Sequence, residues 1–459
     1  MSKEVGNQMG VGKMSIPQIL KMVAPTVIMA VFAGLYGIVD GIFVSNKGGP
    51  AAFAAVNLVT PIFLIMSSFG MMFGTGGNAL VSKTRGEGNE EEAKKIFSTL
   101  SFAVIILGIV LTILLEFFLD DVLALLGAKD EMLHFCLDYS RILIPFIVFY
   151  LLQYYFQSML VTAGKGMMGF AMTVAAGLTN IVGDVILVGF VAQDAHQAVA
   201  GASIATCLGL LVGGLIPLIY FMRKNSSCLR IVKTGLDIKV ILKTCSNGIS
   251  EFFSNISGAI MNTVFNGLLL YIVGQKGVAA YGSISYVNLV FCAMFMGYSI
   301  GVSPAISYKY GAGDKEGLKS IHKNSMIIIV VASVAMLALS ELIAEPVSAI
   351  FSSGQADLLA LTVTGFRIYA VSFLYKGLNT YASAFFTALN NGFVSGFLAI
   401  TRSLVFSIGA VLVLPIVYFY MYGEEKALLG IWWSTNYAEF LALVVAVIFV
   451  LANRKKYQY

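Results

Sequence analysis

The chain has 459 residues, 58% hydrophobic and 12% charged, with a formal net charge of +5 and a mean hydropathy of +0.86. Soluble domains carry about 25% charge, so a soluble globular protein is excluded: too little polar surface remains to cover the core. The sequence is that of an all-α integral membrane protein, and its positive charge, placed as described next, gives no ground for a nucleic-acid partner.

A helical span needs ~20 apolar residues. Twelve are predicted in chain order, at 16–43, 52–82, 96–118, 133–162, 167–191, 198–222, 238–273, 279–310, 321–344, 356–389, 393–420 and 427–452. Of the 29 Lys and Arg, 21 fall on one side if the N-terminus is cytoplasmic, starting with Lys3, Lys13 and Lys21. Only Lys47, Lys129, Lys276 and Lys426 fall on the other side, while Arg141, Arg367, Lys376 and Arg402 lie within spans. The positive-inside rule then places both termini in the cytoplasm of a multi-pass protein of the cell (plasma or inner) membrane. The first 15 residues are polar and a full-length span follows, so no cleavable signal is expected. The basic stretch from Arg223 to Lys243 separates spans six and seven. It divides the chain into an N-lobe at 15–222, a linker at 223–237 and a C-lobe at 238–453.

The two halves repeat. GGNALVSKTRGEGNEEEAKKI from Gly76 matches GVSPAISYKYGAGDKEGLKSI from Gly301 at an offset of 225. Gly76, Ser82, Gly86, Gly88, Glu91, Lys94 and Ile96 meet Gly301, Ser307, Gly311, Gly313, Glu316, Lys319 and Ile321. Ile19-Leu20-Lys21 matches Ile241-Leu242-Lys243, Arg141-Ile142 matches Arg367-Ile368, Thr162-Ala163 matches Thr387-Ala388, and Gly201 and Thr206 match Gly430 and Thr435. Six spans per half bring both halves into the membrane in the same sense, so a pseudo-two-fold axis along the membrane normal is expected, as in many transporters. The Gly86-x-Gly88 turn follows no strand, and no GxxxxGK[ST] occurs, so no nucleotide loop is read here. These glycines are expected to end a helix at the cytoplasmic face. With no ATP motif, an ion gradient or the cargo's own gradient must drive transport, and no cofactor is expected.

Charge inside a span is costly and marks function by default. Asp40 lies late in span one, with Tyr36 one turn before it. Asp184 lies in span five, with Asn180 one turn before it on the same face. Thr206 in span six adds a hydroxyl. Two carboxylates, an amide and a hydroxyl suit a proton carrier, or a site for a small hard cation such as Na⁺ held by Asp40 and Asp184. Each Asp could instead be capped by polar neighbours and serve packing alone. Tyr36, Gln153, Met172 and Thr173 share spans with this set and are candidate cavity residues. The second half differs: Glu251, Lys376 and Glu439 fall in spans seven, ten and twelve, where Lys376 can pair with either glutamate, and Arg402 in span eleven can snorkel to the cytoplasmic face. Pro25, fifteen residues before Asp40, is a candidate hinge or a static kink. The acids do not repeat: Asp40 meets Asn262, Asn180 meets Val405 and Asp184 meets Gly409. GxxxG spacings at Gly70/Gly74, Gly209/Gly213 and Gly297/Gly301 read as close helix packing. The five cysteines (Cys136, Cys207, Cys228, Cys245, Cys292) and three histidines (His134, His196, His322) form no metal or disulfide pattern, and no metal cluster is expected.

These segments resemble the multidrug and toxic compound extrusion (MATE) family over residues 15–452. The carriers are YGIVDGIFVS in span one, LVSKTRGEGNEEEAKK after span two, LTNIVGDVILV in span five, GASIAT in span six and SPAISYKYGAGD after span eight. The resemblance implies a V-shaped pair of pseudo-two-fold-related six-helix lobes. It also implies cation-coupled antiport of small organic cations or amphipathic drugs by alternating access, from a membrane lipid environment, and a monomer is expected. In one branch the coupling site of the N-lobe matches Asp40, Asn180, Asp184 and Thr206, and its bending proline matches Pro25. Another branch uses C-lobe carboxylates, of which Glu251 resembles one; the other is replaced by Lys376, which favours the N-lobe here. The alternative is a flippase of lipid-linked oligosaccharides or lipids from the same superfamily, which a cationic cavity would suit. An enzyme is not expected, since no nucleophile, metal or His/Asp constellation clusters in the sequence.

Overall fold

In hydrocarbon every backbone N–H and C=O must be paired within the segment, so apolar runs of this length can only be helices. The computed structural model describes residues 11–352, 355–423 and 426–459; Lys3 of the charge count lies outside them. Spans one and two form Ile16–Gly86, whose 71 residues extend about 107 Å at ~1.5 Å per residue, far more than one crossing. Gly49, at φ +79° and ψ −178°, breaks this element into residues 16–48 and 50–86. Span three is Glu90–Leu125 and span four Asp130–Thr162, the latter interrupted by a 3₁₀ turn at Ile144–Phe146 around Pro145. Span five is Gly166–Val191 and span six Ala195–Met222. Spans seven, eight and nine are Ile238–Ile272, Gln275–Gly311 and Lys315–Phe351. Span ten is Ala356–Ala370 joined to Phe373–Ala388 across a 43° bend. Spans eleven and twelve are Gly392–Tyr422 and Ala427–Tyr457.

Among the described residues, nine helices are long and apolar enough to cross a membrane. One of these is the double span, and the bent pair supplies another crossing. Span seven is long enough at 35 residues but polar, carrying Lys243, Asn247, Glu251, Asn255, Asn262 and Asn266. Twelve crossings result, in two matched sets of six. Spans four and ten break at matching places, just after Arg141-Ile142 and Arg367-Ile368.

Two hydrophobic cores form, one around residues 44–229 and the other mainly around 265–459. The exception is informative: Met14, Ile19 and Val23, at the start of span one, pack into the second core. Ile241, Cys245 and Ile249, at the start of span seven, pack against the first. The lobes therefore exchange the starts of their leading spans.

Glycines make this exchange possible. A Cβ built on Gly86 would stand 2.1 Å from the Tyr308 carbonyl oxygen, and one on Gly311 2.1 Å from the Lys83 carbonyl oxygen. At the repeat offset of 225, Gly86 maps to Gly311 and Lys83 to Tyr308, so the two contacts are one contact seen twice. That reciprocity is the mark of a two-fold interface. Similarly, Gly76 meets Thr244 and Gly248 meets Met72, while Gly297 meets Thr26 and Gly301 meets Val23. All these crossings lie toward the end of the bundle that carries both termini, where the two lobes of the V meet. The left-handed residues that end spans two and eight are Gly88 and Gly313, at φ +85° and +67°. Gly86 and Gly311 serve the crossing instead of the cap.

Candidate functional site

Small residues let spans five and six approach closely. A Cβ on Gly183 would lie 2.7 Å from the Ala205 Cβ, and one on Gly209 2.9 Å from the Ala176 carbonyl oxygen. This buries Asn180 and Asp184, which are 3% and 0% exposed. Asp184 opens a π-helical stretch, Asp184–Val191, a geometry frequent at functional sites. Span eleven also carries a π stretch, Thr401–Ser407, but it begins nine residues into its span rather than eighteen. The two lobes therefore differ locally at this level.

Asn180 Nδ2 donates to Thr206 Oγ1 at 3.4 Å, and Thr206 Oγ1 donates to Asp40 Oδ1 at 3.5 Å. These long bonds form one directed chain across spans five, six and one. The Asp184 carboxylate faces that of Asp40. Asp184 Oδ1 and Oδ2, Asn180 Oδ1 and Gln153 Oε1 are buried and find no hydrogen-bond donor among the described residues. Native proteins pair nearly all buried acceptors. A carboxylate pair with both Asp184 oxygens and the neighbouring Asn180 Oδ1 unpaired thus calls for positive charge: a shared proton or a hard monovalent cation held by oxygen. Among the described residues no group of three or more His, Cys, Asp or Glu could hold a metal ion, so such a cation would rest on two carboxylates with amide and hydroxyl oxygens.

A cavity of about 240 Å³ opens onto this cluster. It is lined by Asp40, Asn180 and Thr206 together with Tyr36 and Gln153, whose Nε2 donates to Tyr36 Oη at 3.5 Å. Four aromatic rings missed by sequence reasoning, Phe63, Tyr139, Tyr150 and Tyr154, also line it. Tyr150, Gln153 and Tyr154 stand together in span four, and that amphipathic trio was the available signal. Met172 and Thr173 lie off the cavity. Thr173 is buried, accepting from Gln157 Nε2 at 3.3 Å and donating to the Gly169 carbonyl, and Met172 packs against the first core. Glu251 lies on span seven, its carbonyl accepting from Asn255 Nδ2 at 2.9 Å. Pro25 does not break its helix, which continues unbroken to the Gly49 kink. It sits beside Gly166, next to the lobe crossing.

The second lobe pairs its charges differently from the sequence expectation. Lys376 meets neither glutamate. Its Nζ donates to Asn288 Oδ1 at 2.7 Å and Tyr369 Oη at 2.9 Å, with the Tyr369 and Phe373 ring centroids 4.2 and 5.1 Å away. Arg402 does not snorkel. It holds Glu439 through three bonds, Nη2 to Oε1 at 2.8 Å, Nε to Oε2 at 2.9 Å and Nε to Oε1 at 3.1 Å, and its Nη1 reaches Thr380 Oγ1 at 3.1 Å. Asn379 Nδ2 donates to Glu439 Oε2 at 2.7 Å. The carboxylate of Glu439 is thereby fully committed, and the unpaired acid cluster belongs to the first lobe.

Residues 25–186 and 251–419, one stretch in each half, match the MatE family model. The multidrug export protein MepA of Staphylococcus saprophyticus is 26% identical over 449 residues, which cover 94% of this chain and 92% of that protein. MepA of Staphylococcus aureus strain MRSA252 is 25% identical over 447 residues, with the same coverage. A solved structure of MATE in complex with MaL6 aligns with a TM-score of 0.91 at 21% identity, over 100% of both chains. An outward-facing structure of a multidrug resistance MATE family transporter of the MOP superfamily aligns at 0.88 and 23% identity, over 98% of this chain and 99% of that one. At these identities the structural likeness speaks for the fold.

Proposed function

The chain belongs to the MatE family, and from that premise we propose that it exports organic cations and amphipathic drugs in exchange for H⁺ or Na⁺. It is a multi-pass membrane transporter rather than an enzyme. The observation that carries the reading is the set of unpaired buried oxygens at Asn180 and Asp184, beside Asp40 at a cavity. Such a cluster takes positive charge, and only one positive species at a time. The naming of the relatives for multidrug export supports drugs as cargo.

In this reading both termini are cytoplasmic, so the glycine crossing is the cytoplasmic gate between an N-lobe at 15–222 and a C-lobe at 238–453, joined by the linker 223–237. Cargo loads when that end is open, settling near Tyr36 and Gln153 beside the acids. The lobes then rock to the crossed state. A cation from outside takes up the carboxylates of Asp40 and Asp184, with Asn180 and Thr206 completing its oxygen set, and displaces the cargo. Release of the cation inside resets the cycle. Coupling follows because cation and cargo each weaken the other's binding, and that penalty is reciprocal. Pro25, next to the crossing, is the place where span one gives as the lobes rock. Met172, Thr173 and Glu251 lie off the first-lobe cavity and take no part in this step.

A flippase of pyrophosphate-linked oligosaccharides would want a cationic cavity, and the acids of the N-lobe disfavour it. The test is efflux of a fluorescent organic cation from cells, with and without a proton uncoupler and with Na⁺ replaced. Efflux that collapses under one of these treatments supports antiport. Efflux indifferent to both, or absent for every organic cation tried, overturns it.

A further inference from the structure

The turn between spans eight and nine grips a segment that precedes span one. Gly12 donates its amide to Asp314 Oδ2 at 2.6 Å, and its carbonyl accepts from Lys309 Nζ at 2.6 Å. Lys309 is fully buried and stands 3.5 Å from the same carboxylate. Met14 O accepts from Asn324 Nδ2 at 2.6 Å and Ser320 Oγ at 3.3 Å, and Lys13 meets Glu316 at the surface. Immediately beyond, Val23 and Thr26 of span one cross Gly301 and Gly297 of span eight. The grip and the crossing thus join the same two spans, and one cannot part far while the other holds.

The duplication supplies a comparison within the molecule. The linker before span seven is held at the matching place on the first lobe. Val232 N donates to Ser98 Oγ at 2.8 Å, and Thr99 Oγ1 donates to the Gly235 carbonyl at 3.2 Å. At the offset of 225, Thr99 maps to Asn324. There the likeness ends: Lys309 and Asp314 map to Thr84 and Asn89, which carry no charge. A buried ammonium is expensive unless it is paired and hydrogen-bonded, and the first lobe holds its strap without one. The buried ion pair is therefore particular to the strap before span one. Burial pushes the Asp314 carboxyl up, yet the Gly12 and Gly317 amides and the Lys309 ammonium together hold it below the ordinary carboxylate range. The Asp314 carboxylate therefore stays ionised at neutral pH, with the buried Lys309 ammonium 3.5 Å away.

We propose that Lys309 and Asp314 are positioning residues of the transport cycle: they latch residues 12–14 onto the turn after span eight while the lobes are crossed, and release them when that end opens. The latch sets the balance between the two states, independently of which ion drives transport. Charge-assisted hydrogen bonds are about twice as strong as neutral ones, so loss of either charge raises the open-to-closed ratio by about tenfold.

The test uses the full chain, its five cysteines replaced, with spin labels at positions 92 and 319, exposed starts of spans three and nine. Asp314→Asn and Lys309→Met each shift the label distances toward a longer population, while Asn89→Ala, at the mirror position, does not. An unchanged distribution in both charge variants, or an equal shift in Asn89→Ala, overturns the latch. A second arm leaves the clamp intact: Lys13→Cys and Glu316→Cys are bridged by a short thiol-reactive reagent. Bridging arrests efflux of an organic cation that the unbridged protein still exports, and unimpeded efflux after complete bridging also overturns the latch. Should the protein export no organic cation at all, the proposed cargo fails while the distance measurement still decides the latch.

Discussion

Alanine at Gly311 puts a methyl group where the two lobes cross. Its Cβ would stand 2.1 Å from the Lys83 carbonyl oxygen, and 2.9 Å from that carbonyl's carbon. Both partners are helix backbone, so no side chain can swing aside. The Cβ has to retreat by about 1 Å to reach even the 3.0 Å floor of real contacts. Overpacking of this kind costs about 1–3 kcal/mol. Alanine also favours helix over glycine by about 1 kcal/mol, but span eight is helical whether the lobes are crossed or apart, so that gain cancels. The clash remains, and only in the crossed state. It shifts the crossed-to-open ratio toward open by about 5- to 150-fold. Gly86→Ala, against Tyr308 at the same 2.1 Å, shifts it by a similar amount if the lobes are truly related by a two-fold axis. Gly282→Ala is the control on the same span, with no atom within 4 Å of its added Cβ. Distances between spin labels at positions 92 and 319 read the ratio directly. If Gly311→Ala and Gly86→Ala match Gly282→Ala, the crossing is not what holds the lobes together.

Three further outcomes follow from the side-chain geometry. Arg402→Met leaves Glu439 buried without its cation and lowers stability by about 3–5 kcal/mol, whereas the double change Arg402→Met with Glu439→Gln costs clearly less; melting in detergent separates them. Thr206→Ala breaks the chain from Asn180 to Asp40 and weakens coupling-ion affinity by about 5- to 150-fold, for the loss of two hydrogen bonds, while Thr206→Ser restores it. This is read from the ion dependence of transport. Gln153→Leu removes one cavity acceptor and raises the KM for a cationic dye with little change in kcat, the pattern of a lost binding contact.

Twelve crossings were legible because hydrophobic length is a strong signal, and the duplication because glycines fall at a fixed offset. Why those glycines matter was not legible. Gly86 reads as a helix end, and only the facing Tyr308 backbone reveals the crossing. The acids stood out as charges in apolar runs, and helical spacing put Asn180 and Asp184 on one face. Sharing that span also makes Thr173 a candidate, but the seven residues to Asn180 are about 10 Å along a helix, and at that depth Thr173 meets Gln157 rather than the cavity. Partners on different spans cannot be read from spacing at all. Spacing therefore offers Lys376 a choice of two glutamates, neither of which it touches, and sends Arg402, which does hold Glu439, to the cytoplasmic face.

The central claim is that the first lobe carries the coupling ion on Asp40 and Asp184. It is tested most directly by reconstituting the protein in liposomes, imposing a pH or a Na⁺ gradient separately, and following a labelled organic cation. The account predicts gradient-driven transport by the unaltered protein, and its loss in Asp40→Asn and in Asp184→Asn, both still folded and both still able to bind cargo. Full gradient-driven transport by both variants would contradict it.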